Sequence, residues 1–341
     1  MTGDRPIMKK LLLLILITPL GLSAQNTIGL PDVINYPKKQ YGAGLQNWDI
    51  GQDPQGIIYF ANNEGLLSFD GQYWKVNPLP NRTIVRSLGI SPDHRIYVGG
   101  QDEIGYFSPG PDHRLSFHSL YPLIPAADRS FGDVWDICFY QNKVWFRTLN
   151  RIFCYADNSI SVYHAPLEWT YMGASGDKLF AHDGKSGLLQ FNNNVWQPVE
   201  KAKDLPADVV TGILPLGIDS NMISTLKSGI FLLSNQGLQP FSSPVIEKLK
   251  TDRIYGATLI NKEWIAIATN LDGVQIIDIK GNLIQQFSKP EGLQNKNVLN
   301  QFDTKTLSKI RDLIARDRED TPGKPYLLSF PDLALMLPNK Q

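Results

Sequence analysis

One pattern of short apolar segments recurs six times along this chain of 341 residues, and no other feature restricts the possible folds as strongly. The clearest copy comprises Ile57–Phe60, Glu64–Gly71 and Tyr73–Val76. Further copies begin at Ile96, Val144, Leu179, Met222 and Trp264. A repeat of about 40 residues built from short strands is typical of β-propellers, because one unit cannot bury both of its faces and must stack against its neighbours.

An inner strand precedes the three segments in every copy of the repeat. These strands are predicted at Trp48–Gly51, Arg86–Ile90, Trp135–Phe139, Tyr171–Ala174, Thr211–Leu214 and Tyr255–Leu259. Four strands per unit match the blade of a propeller. The sequence therefore predicts an all-β propeller with six recognisable four-stranded blades.

The N-terminus has the organisation of a secretory signal peptide. Met8-Lys9-Lys10 is a short basic region, Leu11–Leu22 is an apolar run, and Ser23-Ala24 resembles a cleavage site. The apolar run is shorter than the about 20 residues that a membrane-spanning helix needs. We therefore predict that residues 1–24 are removed and that a mature chain starting at Gln25 is exported, with no membrane span.

Charge and cysteine content restrict the partners and the covalent structure. Lys plus Arg number 33 and Asp plus Glu number 33, so no basic field is present to attract nucleic acid. Cys138 and Cys154 are predicted on the first and third strands of the same blade. Two strand spacings amount to about 9.6 Å, which exceeds the reach of a disulfide, so we expect two buried thiols.

No motif in the sequence indicates a catalytic centre, a metal site or a cofactor. The five histidines are predicted on surface turns and outer strands: His94, His113, His118, His164 and His182. Asp49, Asp133 and Asp136 lie near the starts of inner strands, where a propeller glycosidase or lyase would need a pair of carboxylates. Because aspartates are also common in turns and at sheet edges, we predict a protein that is not an enzyme and keep an exported polysaccharide-degrading enzyme as the alternative.

The first blade carries the most specific pattern in the chain. It consists of Gly44-Leu45-Gln46-Asn47-Trp48-Asp49-Ile50, Gly56–Asn62, Gly65–Gly71 and Trp74. This pattern resembles the first blade of the two-component-regulator propeller family, whose members are periplasmic sensor domains of large envelope-spanning regulators. In that family a triple-tyrosine immunoglobulin-like domain, a transmembrane helix and a histidine kinase or helix-turn-helix output follow the propeller. The resemblance covers about residues 30–300 and implies a periplasmic sensor.

The C-terminal part departs from this family. Glu291–Leu299 opens a partial seventh blade, but the pattern then stops, and Thr304–Glu319 is predicted as a short helix with one apolar stripe. We therefore divide the chain into a signal peptide (1–24), a propeller sensor domain (25–302) and a divergent tail (303–341). The resemblance then implies a truncated or rearranged member without transmembrane and output domains. An incomplete ring would expose apolar blade sides and favour homo-association.

Candidate ligand contacts lie at the starts of the inner strands, because these ends crowd onto one face of a propeller. The predicted ligand-binding residues are Asn47, Trp48, Arg86, Asp133, Trp135, Trp169, Tyr171, Arg253 and Tyr255; Thr211 and Asn297 hold equivalent places. Aromatic faces stack on sugar rings while polar side chains bind hydroxyls, so we predict a carbohydrate ligand. Two alternatives remain: Trp48 and Trp135 pack between blades, or the propeller is a protein-interaction scaffold with a large apolar face.

Overall fold

The computed structural model describes residues 32–110, 114–217, 219–260, 263–293, 326–330 and 333–337. Within these residues the chain forms six four-stranded sheets and one three-stranded sheet. In each four-stranded sheet the strands follow the order of the chain and neighbouring strands are antiparallel. The six sheets are the blades of the predicted propeller, which the structure confirms.

The first three blades begin close to the predicted inner strands. Blade one comprises Asn47–Gln52, Ile58–Asn62, Gly65–Phe69 and Trp74–Asn77. Blade two comprises Val85–Ile90, Ile96–Gly100, Ile104–Pro109 and Leu115–Ser119. Blade three comprises Asp136–Tyr140, Lys143–Arg147, Arg151–Ala156 and Ser159–His164.

The last three blades repeat this arrangement. Blade four comprises Trp169–Ser175, Lys178–Asp183, Gly187–Asn192 and Val195–Pro198. Blade five comprises Val210–Pro215, Asn221–Thr225, Gly229–Ser234 and Gly237–Phe241. Blade six comprises Ile254–Leu259, Trp264–Thr269, Val274–Asp278 and Leu283–Phe287.

The apolar core lies between the blades. The second strands of blades one, two and five are buried at every position, because both faces of these strands pack against neighbouring blades. One buried cluster joins Tyr59 and Ala61 of blade one to Leu88 and Val98 of blade two. The outer strands alternate or are largely exposed, as in Leu115–Ser119. Burial on both sides explains why the inner segments of the repeat are almost continuously apolar.

Blades one and six share a further apolar cluster. Phe60 and Phe69 of blade one are buried together with Ile276 and Phe287 of blade six. Tyr41, from the short helix Lys38–Tyr41, belongs to the same cluster. Blades one and six are therefore joined through an apolar seam.

Two elements were not predicted from the sequence. The helix Pro244–Asp252 links blade five to blade six; Ser243 caps it by accepting a hydrogen bond from the Ile246 amide at 3.2 Å. A three-stranded sheet pairs Asp32–Asn35 in parallel with Tyr326–Phe330, which pairs in turn with Leu333–Leu337. Short 3-10 helices lie at Tyr121–Leu123, Ala126–Asp128 and Glu200–Ala202. The predicted signal peptide, the start of a seventh blade at Asn297 and the helix Thr304–Glu319 lie outside the described residues.

The cysteines agree with a further expectation. Cys138 and Cys154 are both free, and Trp145 lies between them as the cross-strand partner of each. The separation of two strands predicted from the repeat is therefore confirmed. No helix within the described residues is long and apolar enough to span a membrane.

Candidate ligand-binding channel

Five of the six inner strands have the same irregularity at the end where they begin, and the sixth has a related backbone hydrogen bond there. In five blades the pairing with the second strand shifts by one residue, between Asn47 and Asp49, Val85 and Ser87, Trp169 and Tyr171, Val210 and Gly212, and Ile254 and Gly256. In blade three the Trp135 amide donates to the Arg147 carbonyl oxygen at 2.8 Å, while Arg147 also pairs with Asp136. Such bulges redirect side chains.

The six residues at these bulges, which we call the mouth residues, face the central channel. They are Trp48, Arg86, Trp135, Thr170, Thr211 and Tyr255. All six line one cavity of about 600 Å³. This volume lies within the range of small-molecule sites, about 300–1,000 Å³. The six blades therefore contribute a ring of side chains that contains four residue types.

Arg86 lies between the two tryptophans of the mouth. Its guanidinium carbon is 4.0 Å from the ring centre of Trp48 and 5.0 Å from that of Trp135, and its Nε binds the Asp133 Oδ2 at 3.0 Å. The two tryptophan rings meet edge to face, with centres 6.2 Å apart. Trp48 Nε1 donates to the Asn63 Oδ1 at 2.7 Å. Cation–π contacts and hydrogen bonds thus hold this side of the mouth in one arrangement.

Tyr255 presents the most accessible ring of the mouth, at 39% exposure. Burial of the phenol oxygen raises the pKa of Tyr255, and the nearby positive charge of Arg86 partly offsets that rise. The phenol of Tyr255 in blade six is therefore close enough to Arg86 in blade two for the two groups to interact electrostatically. An aromatic ring and a guanidinium face the same cavity from different blades.

The hydroxyl groups of the two mouth threonines form hydrogen bonds to side chains behind the channel wall. Thr170 Oγ1 lies 2.7 Å from His182 Nδ1, and Thr211 Oγ1 donates to the Ser224 Oγ at 3.1 Å. His182 is buried in the second strand of blade four, so the expectation that all histidines are on the surface is wrong for this residue. Burial lowers the pKa of His182, although the neighbouring Asp183 acts in the opposite direction. The imidazole beside Thr170 is therefore neutral at neutral pH.

The residue that follows each mouth residue contacts the next blade in blades one to four. The carboxylates of Asp49 and Asp136 accept hydrogen bonds at 2.9 Å from the amides of the next blade's inner strand. Ser87 donates to the next blade's backbone at 2.8 Å, and the Tyr171 oxygen accepts from the Ile213 amide at 3.0 Å. We call these four side chains the latch residues. They join each of the first four blades to its successor.

Five of the nine predicted site residues line the channel cavity: Trp48, Arg86, Trp135, Tyr171 and Tyr255. Asp133 is not among the lining residues, but it binds Arg86. Trp48 of blade one and Trp135 of blade three contact each other across the mouth.

The other three predicted residues lie away from the cavity. Asn47 is buried, and its Oδ1 accepts from Asn62 at 2.8 Å. Trp169 is buried against Trp196, with ring centres 5.5 Å apart. Arg253 follows the helix Pro244–Asp252 and is not among the lining residues. In blade four the mouth residue is Thr170, which the sequence reading did not select because two large aromatic residues flank it.

Comparison with known proteins identifies relatives in fold. No protein-family model matches the sequence, and no curated protein matches it significantly. The structure is similar to the extracellular domain of a protein assigned as hybrid two-component system BT3049 of B. thetaiotaomicron: the TM-score is 0.60, the identity 18%, and the match covers 81% of this chain and 40% of that one. A streptogramin B lyase structure matches with a TM-score of 0.54 and 17% identity over 72% of this chain and 84% of that one.

A third similar structure is YCF48 bound to a D1 peptide, with a TM-score of 0.57 and 13% identity over 91% of this chain and 97% of that one. These proteins share the propeller fold with this chain, and they include an extracellular domain of a two-component system, a lyase and a peptide-bound protein. This chain spans about two fifths of the length of the two-component domain that it matches. The described residues contain no cluster of three or more His, Cys, Asp or Glu side chains that could hold a metal ion.

Proposed function

We propose that this chain is an exported ligand-sensing propeller, the recognition part of a periplasmic regulatory receptor, and that it binds a carbohydrate at the mouth of its channel. The observation that carries the proposal is the ring of mouth residues. It places three aromatic side chains, one arginine and two threonines around a cavity of about 600 Å³. The similarity in fold to the extracellular domain of a two-component system supports a sensing role.

A carbohydrate fits the chemistry of this ring. The C–H face of a sugar stacks on an aromatic ring, and its hydroxyls need nearby donors and acceptors. Tyr255 offers an accessible ring, whereas Arg86 and the threonine hydroxyls offer polar partners. The Asp133 carboxylate balances the charge of Arg86, which favours a ligand without a strong net charge.

Binding can be tested by calorimetry against a panel of glycans. We expect Tyr255→Ala to weaken binding at least about tenfold, because stacking on an aromatic ring contributes on the order of 1 kcal/mol or more. Trp48→Ala and Trp135→Ala should also weaken it. Tyr73→Ala is the matched control, since Tyr73 is exposed and does not line the channel. Equal affinities of Tyr255→Ala and Tyr73→Ala for the glycan would contradict ligand binding at the mouth of the channel.

Export rests on the sequence of residues 8–24 and can be tested separately. The basic region, the apolar run and the small residues before Gln25 favour cleavage after Ala24. N-terminal sequencing of the protein from the periplasmic fraction should therefore begin at Gln25. A cytoplasmic protein that retains Leu11–Leu22 would contradict export, whatever the outcome of the binding test.

The enzyme alternative has a structural observation in its favour and one against it. A lyase shares the fold, and Asp49 and Asp136 both line the channel cavity. However, Asp49 accepts from the amides of Ile50 and Leu88, and Asp136 binds Arg147 and the Met172 amide. Carboxylates engaged in this way support binding over acid–base catalysis. Release of reducing sugar from a polysaccharide, abolished by Asp136→Asn in a folded variant, would favour the enzyme.

A specific observation also favours a protein-interaction role. Five apolar side chains, 42–62% exposed, lie in the connections at the mouth face: Leu45, Leu149, Leu167, Val209 and Leu271. These residues precede inner strands or connect second strands to third strands, and both connections lie at the same end of antiparallel strands. The second candidate function is thus association through this face, with a second copy as the occupant. Sedimentation should then show a dimer that the double variant Leu167→Asp/Leu271→Asp converts to a monomer.

A further inference from the structure

A second cavity lies on the opposite face of the ring, between blades two and three. It is bounded by Ser91–Arg95 of blade two and by the segments around 140–144 and 155–158 of blade three. These segments contain the turns that end the first and third strands, so they lie away from the channel mouth. The cavity has a volume of about 670 Å³ and shares no lining residue with the channel. We call it the rear groove.

Aromatic rings form the floor of the rear groove. Tyr97 is buried, and its ring centre is 5.9 Å from that of Phe139 and 6.4 Å from that of Tyr155. All three residues line the groove. Because Tyr97 also contacts Phe146 in the core at 6.2 Å, the floor is anchored in the packing between the blades. A ligand would meet a preformed apolar surface.

A charged pair forms part of the rim. Arg95 Nε lies 3.2 Å from the Asp93 Oδ2, and the guanidinium carbon is 4.9 Å from the ring centre of Tyr106. The Arg95 and Asp93 side chains remain 41% and 57% exposed. An ion pair with this exposure adds little to folding stability, so both residues are open to substitution without loss of the fold.

Two tight turns complete the rim with polar side chains. Gln141 and Asn142 have φ values of 51° and 58°, and Asp157 and Asn158 have 49° and 57°. Two successive residues in the left-handed region are characteristic of the two-residue hairpin turns that match the twist of their strands. The turns hold three amides and a carboxylate at the edge of the aromatic floor.

We propose that the rear groove is a second saccharide-binding site, specific for neutral sugars. A neutral sugar needs an apolar surface for its C–H face and both donors and acceptors for its hydroxyls, and the groove supplies all three. Asp93 and Asp157 disfavour an anionic ligand, and Arg95 disfavours a cationic one. The site rests on its own geometry and does not depend on ligand binding in the channel.

The test uses an array of neutral and uronic-acid-containing oligosaccharides, followed by calorimetry on each saccharide that binds. We expect a neutral saccharide whose affinity falls at least about tenfold in Arg95→Ala and in Asp93→Ala, since each variant removes a charge-assisted hydrogen bond. Asp219→Ala is the matched control, because Asp219 is an exposed aspartate in the corresponding turn of blade five. That control and Tyr255→Ala should bind this saccharide as the unaltered chain does.

Three results would overturn the proposal: no neutral saccharide binds, the saccharides that bind are all acidic, or Arg95→Ala and Asp219→Ala bind equally well. Melting curves of all variants exclude unfolding as the cause of lost binding. A saccharide that is lost in Tyr255→Ala and kept in Arg95→Ala belongs to the channel. That result would leave the proposed function in place while rejecting the rear groove.

Discussion

Blades one to four and blades five and six are joined to their successors in different ways. In the first four blades the residue after the mouth residue is Asp49, Ser87, Asp136 or Tyr171, and its side chain forms a hydrogen bond to the next blade. In blades five and six the same position is Gly212 and Gly256. Glycine has no side chain with which to form such a bond.

The seams after blades five and six have apolar clusters and no latch side chain at this position. Ile246 and Leu249 of the helix Pro244–Asp252 pack into the cluster that joins blades five and six. Phe60 and Phe287 belong to the cluster that joins blades one and six. Apolar packing is not directional, whereas hydrogen bonds fix relative position. We infer that hydrogen bonds fix the positions of the blades on the Trp48–Arg86–Trp135 side of the mouth. The blades on the Tyr255 side have more freedom to move relative to each other.

The largest effect is expected from Asp136→Ala. This variant leaves Arg147, whose side chain is 7% exposed, without its ion-pair partner, and it removes the acceptor for the Met172 amide. Breaking a buried ion pair from one side costs about 3–5 kcal/mol of unfolding free energy. Denaturant unfolding measures the loss, with the exposed turn variant Asp177→Ala as the control. Equal stability of the two variants would show that the latch between blades three and four is dispensable.

Asp49→Ala should have a smaller effect of the same kind. It leaves the Leu88 amide without its side-chain acceptor. An unpaired buried amide costs about 1–3 kcal/mol. Thermal unfolding of Asp49→Ala and Asp49→Asn compares loss of the acceptor with its retention. If the asparagine variant is no more stable than the alanine variant, the hydrogen bond from Leu88 does not stabilise the contact between blades one and two.

Tyr171→Phe isolates a single latch bond at lower cost. Only the hydroxyl that accepts from the Ile213 amide is lost, so we expect about 1 kcal/mol of destabilisation, which denaturant unfolding measures.

Hydrogen exchange compares the two parts of the ring directly. The inner strand Ile254–Leu259 should exchange faster than Trp169–Ser175, because no side-chain latch is present at Gly212. Slower exchange in blade six would reverse the comparison between the two parts of the ring.

The smallest effect concerns pH and the His182–Thr170 pair. Burial places the pKa of folded His182 below its ordinary value near 6.5, so the unfolded chain takes up a proton more readily. This contribution to stability is complete above about pH 6.5 and is lost as the pH falls below it. The melting temperature of His182→Gln should therefore fall less on acidification than that of the unaltered chain. If the melting temperatures of the variant and of the unaltered chain fall equally on acidification, the lowered pKa of His182 does not contribute to the pH dependence of stability.

Much of the fold follows from the sequence because the repeat is strict. The inner strand predicted at Arg86–Ile90 appears as Val85–Ile90, and that predicted at Tyr255–Leu259 appears as Ile254–Leu259. The repeat of apolar segments fixes strand number and order without any knowledge of contacts. By contrast, the parallel pairing of Asp32–Asn35 with Tyr326–Phe330 joins segments at opposite ends of the chain, and no local pattern reveals it.

The site was predicted less well for a geometric reason. A bulge moves one side chain to the other face of the strand, and the sequence Trp169-Thr170-Tyr171 does not show which of the three it moves. In blades one, two, three and six the mouth residue is itself the charged or aromatic residue that the prediction selected, as at Arg86. The helix Pro244–Asp252 was not predicted, although Ser243 followed by Pro244 is typical of the start of a helix.

The position of Trp145 between Cys138 and Cys154 has a consequence for the route by which the chain folds. In the folded blade the two sulfurs cannot meet, and burial raises the pKa of Cys154 to about 11, so its reactive thiolate is scarce. In the unfolded chain only fifteen residues separate the two cysteines, and an oxidant can join them. Such a crosslink would prevent blade three from forming. The export proposed above would therefore require blade three to form before its thiols are oxidised.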